Sequence, residues 1–195
     1  MKLGILRIHF SFFALFLLLF MSDQTMVLVP FLLAAVLHEM GHLAALRYYE
    51  IPLRQITLTC LGGTIRADLT RAGYWQEMAI SLSGPLVNFA AAYLSAQKAH
   101  YTGDLESAFL FAGANFLLGA VNLLPIIPLD GGCAIRALSY RLLGLETGDR
   151  VCRLISLCGA AMVTTGGIWL FARTQCNLSL LMLGLFLLFA QFRAK

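Results

Sequence analysis

Residues 38–42 read His-Glu-Met-Gly-His. On a helix, histidines at i and i+4 project from one face, one turn apart, where both imidazoles reach the same divalent cation. Glu39 sits about 100° round the helix and reaches a water on that cation without ligating it. A carboxylate so placed serves as general acid and base. The pentapeptide lies inside an apolar run, 26–46. Two imidazoles and a carboxylate there are costly unless they serve a site. Zn2+ is the ion expected, and a catalytic zinc site usually has three protein ligands and one open position. The candidate for the third is Asp130, in Asn122-Leu-Leu-Pro-Ile-Ile-Pro-Leu-Asp130-Gly131-Gly132. Pro125 and Pro128 interrupt a helix there, and the glycines allow close backbone approach. Asp130 reads either as that third ligand or as the N-cap of a following helix over 131–144.

The elements that carry these residues belong to a membrane protein. Of the 195 residues, 59% are hydrophobic and only 12% charged, against about 25% charged in soluble domains. Mean hydropathy is +0.80. That excludes a soluble domain and a disordered chain. Five cysteines with no CxxC pair exclude a disulfide scaffold, and a net charge of +4 calls for no nucleic-acid partner. Runs near ~20 residues predict six spans, at 5–21, 26–46, 77–96, 107–127, 151–172 and 177–192. The first follows Lys2 and Arg7 but lacks a small-residue cleavage site, so it reads as a retained helix, with Arg7 reaching towards the head groups.

With six crossings and both termini cytoplasmic, all of the 14 Lys and Arg residues except Lys98 and Arg173 fall on the cytoplasmic side. If the second span leaves the bilayer near Arg47, His42 and His38 lie ~8 and ~14 Å below that surface at 1.5 Å per residue. The fourth span reaches Asp130 at the same side. Between spans two and three, Ile56, Leu58 and Cys60 alternate with Thr57 and Thr59, and Thr64 and Ile65 follow Gly62 and Gly63. This predicts a membrane-associated β-hairpin, because backbone at membrane depth must be paired or line a wet cavity. The fold class is an all-α polytopic membrane protein with one hairpin between its second and third helices.

HExxH in one span and N-x-x-P-x-x-P-L-D-G in a later one resemble the site-2 proteases, the zinc intramembrane metalloproteases, and most closely their six-span subgroup that processes a sporulation pro-sigma factor. The likeness extends over nearly the whole chain, including Leu61-Gly62-Gly63 and Ser83-Gly84-Pro85-Leu86-Val87-Asn88. It implies one protease domain over 1–195, with His38, His42 and Asp130 as zinc ligands and Glu39 as catalytic acid and base. Asn122 and Pro128 match substrate-engaging positions, and Asn88 helps pack the core helices. The subgroup's nucleotide-sensing domain does not follow the last span, and no PDZ domain is inserted. The implied reaction is hydrolysis of a peptide bond in or near the transmembrane segment of a membrane protein or membrane-anchored peptide. The hairpin, at Gly62 and Gly63, is then either a place where an unwound substrate adds as a strand or a loop that plugs the site. The alternative is a zinc-binding transporter or channel whose histidines line an ion path. Nothing in the pattern specifies an oligomeric state.

Overall fold

The computed structural model describes residues 6–8, 27–59, 62–68, 72–102, 105–175 and 178–193. In chain order the elements are β1 (Leu6–Ile8), α1 (Leu28–Tyr48), β2 (Leu53–Thr59), β3 (Gly62–Ala67), α2 (Tyr74–Thr102), α3 (Leu105–Asn122), α4 (Asp130–Leu143), α5 (Leu145–Thr174) and α6 (Ser179–Arg193). Among the described residues, α1, α2, α3 and α5 are long and apolar enough to cross a membrane, and α6 is a shorter apolar helix. Residues 9–21 of the predicted first span lie outside the described residues, as do Cys60, Leu61, Cys176 and both chain ends.

The chain divides into two compact units, residues 1–76 with 83–120, and residues 77–82 with 121–195. In the first, α1 buries a stripe made of Ala34, His38, Gly41 and Leu46. Its other faces carry Val29, Leu33, Val36 and Met40, all exposed. Apolar residues all round a helix are what a lipid-facing span requires. Gly84, Asn88 and Ala92 on α2, and Ala112, Asn115 and Gly119 on α3, are also buried. Small residues at such spacing let helix backbones approach closely. Asn88 and Asn115 are both fully buried, and each amide is hydrogen-bonded.

The same unit holds a three-stranded sheet in the order β1-β2-β3. β2 and β3 pair antiparallel, from Leu53↔Ala67 to Thr59↔Gly62, with an irregularity between Leu53 and Gln55. Gly62 and Gly63 are paired strand residues, opposite Thr59 and Leu58. β1 corrects the expected all-α start of the chain. Leu6, Arg7 and Ile8 run parallel to Ile56, Thr57 and Leu58, so the helix predicted from residue 5 is strand at these positions and Arg7 does not open a span. The edge of β2 supplies backbone partners to these residues directly, whereas a helix must first close a costly turn.

In the second unit, Ile126, Ala160 and Leu187 form a buried core, with Leu124, Leu129, Val163, Leu183 and Leu188 against it. α5 and α6 meet through glycine notches. A Cβ on Gly167 would stand 2.6 Å from the Leu181 backbone, and one on Gly184 would stand 2.6 Å from that of Thr164. α4 and α5 are joined by Gly144 alone, at φ 78°, a left-handed conformation that glycine adopts without steric cost. Its N–H bonds to Tyr140 O at 3.2 Å and its carbonyl accepts from Gly148 N at 2.9 Å. That explains why α5 starts at Leu145, six residues before the predicted span.

Candidate functional site

His38 and His42 face one another from successive turns of α1. Their rings meet edge to face at 4.8 Å, and their Nε2 atoms stand 3.2 Å apart. Two nitrogens each ~2.0–2.1 Å from one tetrahedral zinc would be about 3.3 Å apart. The imidazole pair therefore fits the ion. Both remote nitrogens are met by α2. His38 Nδ1 bonds to Asn88 Oδ1 at 2.6 Å, and His42 Nδ1 lies 3.4 Å from Ser83 Oγ. Partners on the remote nitrogen orient a metal-binding imidazole and raise its basicity.

Two glycines make this approach possible. A Cβ on Gly84 would fall 2.8 Å from His42 Cε1 and 2.9 Å from His38 Cε1, and one on Gly41 would fall 2.7 Å from Ser83 O. Gly41, the fourth residue of the HEMGH pentapeptide, lets α2 lie against α1. Gly84 leaves room for the two rings. Pro85, inside α2, donates no backbone bond and is itself buried.

Glu39 lies half-buried on α1, one residue round from the pair. Gly62 and Gly63 open β3, opposite Thr59 and Leu58. Asn122 is the last residue of α3. In the second unit the chain leaves the helix at Leu123 and re-enters at Asp130, through a cis Ile127-Pro128 peptide with Pro128 exposed. Asp130 is the first helical residue of α4, and the N-cap position belongs to Leu129. The N-cap reading of Asp130 is thereby corrected. A negative charge in the first turn is stabilised by the helix dipole.

The irregular segment is fixed through its backbone. Ile127 N–H donates to Ser156 Oγ at 3.1 Å, and Gln191 Nε2 donates to Ile127 O. Ile126 is fully buried. A Cβ on Gly131 would strike the Leu123 backbone, and one on Gly132 that of Ile126, so the consecutive glycines are a packing requirement. Burial pushes the Cys133 thiol up, and its Sγ lies 3.9 Å from Pro128 O.

The sequence reading missed Asn115, Ser156 and Gln191. A buried amide in an apolar helix was the available signal for Asn115, since it belongs to no local motif. Asn88, expected only to pack, bonds His38 directly.

Residues 26–102 and 95–166 match the pattern of Peptidase family M50. The chain belongs to peptidase family M50. Among its relatives in the family, stage IV sporulation protein FB of Bacillus subtilis is 28% identical over 183 residues, covering 90% of this chain and 62% of that one. A zinc metalloprotease of Methanocaldococcus jannaschii is 27% identical over 180 residues, 90% of this chain and 47% of that one. The putative zinc metalloprotease Rip3 of Mycobacterium tuberculosis is 30% identical over 154 residues, 70% and 39% of the two chains. The chain thus spans at most about three-fifths of the length of these curated relatives. The fold is that of the site-2 protease from Methanocaldococcus jannaschii, with a TM-score of 0.71 at 23% identity, over 99% of this chain and 92% of that one. With four candidate spans and M50 membership, this is a multi-pass membrane protein.

Proposed function

We propose that this chain is a zinc metalloendopeptidase of the site-2 type, hydrolysing a peptide bond in or near a transmembrane segment of a membrane-bound substrate. The observation that carries the reading is the pair of Nε2 atoms at 3.2 Å, on an apolar helix that also bears Glu39. His38 and His42 would be two of the zinc ligands and Asp130 the third, a donor set whose chemistry suits zinc with one position left open.

Bound zinc supplies Lewis acidity at the scissile carbonyl and lowers the pKa of its water towards ~7. The rest is done by the chain. Glu39 takes a proton from the attacking water and hands it to the leaving amine. Ser83 and Asn88 hold the imidazoles in place. Pro128, exposed at the irregular segment, and Asn122, where α3 ends, engage the substrate. The substrate must unwind to present its carbonyl, and the extended segment adds to the sheet. β2 has β1 on one side and β3 on the other. Of the two hairpin strands it is β3 that lies at an outer edge among the described residues, and Gly62 and Gly63 begin it.

Residues 1–195 are taken as one protease domain. Its spans include α1, α2, α3, α5 and α6, with the β-hairpin associated with the membrane. The Lys and Arg partition supports cytoplasmic termini and a site opening to the cytoplasmic side. Glu39→Gln is expected to keep zinc and abolish cleavage of a co-reconstituted membrane substrate, whereas His38→Ala loses both. A Glu39→Gln protein that cleaves at the normal rate would remove the assigned base, whereas a wild-type protein that holds zinc but cleaves no membrane substrate would favour a zinc-carrying transporter.

A further inference from the structure

Asn88 presents its carboxamide oxygen to His38 Nδ1 at 2.6 Å. Its amide nitrogen donates to Ala34 O at 2.9 Å and to Asn115 Oδ1 at 2.8 Å. Asn115 in turn donates to Phe111 O at 2.9 Å, one turn back on α3. Both amide hydrogens of Asn88 are therefore committed to acceptors, and only its oxygen is left to face the ring. An oxygen there requires the proton of the neutral His38 ring to sit on Nδ1, so that Nε2 carries none.

We propose that Asn115 is a positioning residue for the metal centre. Its oxygen, aimed by the Phe111 carbonyl, helps to set the orientation of the Asn88 amide, and that orientation selects the His38 tautomer whose metal-facing nitrogen is unprotonated. Without the Asn115 acceptor, Ala34 O alone holds the Asn88 amide in this sense, and an amide that turns over points its N–H groups at Nδ1. The proton then belongs on Nε2, the atom that must bind the ion. All four groups lie in the first compact unit. Both asparagines are fully buried, so no water competes for the amides. Partners on the remote nitrogen of a ligating histidine typically control metal affinity 10–100-fold. The inference rests on His38 being a zinc ligand.

The test measures zinc affinity of the full-length, detergent-solubilised protein by chelator competition, beside thermal unfolding of the metal-free protein. Asn115→Leu and Asn88→Leu are expected to weaken zinc binding about 10–100-fold. Asn115→Asp and Asn88→Asp keep an oxygen acceptor at each place and are expected to bind zinc within a few-fold of wild type. The acid variants also lose amide donors and bury a charge, so their metal-free stability should fall at least as far as that of the leucine variants. A purely structural role would make the acids the weaker zinc binders. Leucine variants with wild-type affinity, or acids that bind no better than the leucines, overturn the relay. His38→Ala separates the two readings. If it loses zinc while Asn115→Leu does not, only the relay fails. If His38→Ala binds zinc like wild type, His38 is not a ligand and the relay fails with the metal site.

Discussion

The helix that bears the two histidines and the segment that leads into Asp130 are positioned by opposite means. On α1 the backbone is regular, and the precision comes from side chains reaching over from α2: Asn88 at 2.6 Å and Ser83 at 3.4 Å from the two remote ring nitrogens. Between Leu123 and Asp130 there is no regular backbone, and the chain itself is gripped, with Ile127 bonded at its N–H and at its carbonyl and Ile126 sunk in the core. A helix already satisfies its own backbone groups, so only its side chains need partners. A broken helix exposes N–H and C=O groups that must be bonded again before it can carry anything. The polar residues that look redundant in each region follow from this difference.

The comparison can be broken from the histidine side first. Gly84→Ala puts a methyl group against both imidazoles. It is expected to cost zinc affinity ~100-fold, the upper end for disturbed ligand orientation, with about 1–3 kcal/mol of overpacking. Equilibrium zinc titration and thermal unfolding in detergent check this. Unchanged affinity would mean that the close approach of α2 does not set ring placement. A smaller effect is expected from the other region. Ser156→Ala orphans the Ile127 N–H and Gln191→Leu orphans its carbonyl, each at a cost of about 1–3 kcal/mol. Because one bond remains in either single variant, zinc affinity should fall only a few-fold. The double variant should fall further than the product of the two. If the effects simply multiply, the two contacts act independently and do not form one clamp.

What was legible in the sequence was what is local. An i, i+4 pair declares its geometry once a helix is granted, and α1 spans Leu28–Tyr48 where an apolar run 26–46 stood. The proline-broken end of α3 was equally plain, because a missing N–H and a fixed φ leave few options. Asp130 was ambiguous because an aspartate before a helix caps it in most settings, and one residue of register separates the two roles. β1 was illegible for a different reason. Three residues beginning an apolar run have no period of their own, and strand character came from the edge of β2, some 50 positions on. Asn115 was hidden in the same way, since its significance lies in a carboxamide 27 residues away. Gly144 shortened a predicted loop to a single residue, which no composition argument anticipates.

That one-residue joint also governs stiffness. Gly144 closes α4 with its amide and opens α5 with its carbonyl, so the two rods share a hinge pin with no spare chain around it. Asp130 stands at the far end of the shorter rod, ~20 Å along it at 1.5 Å per residue. A tilt of α5 would carry α4 with it, because Gly148 packs on Ser139 and Cys152 Sγ reaches Gly132 O.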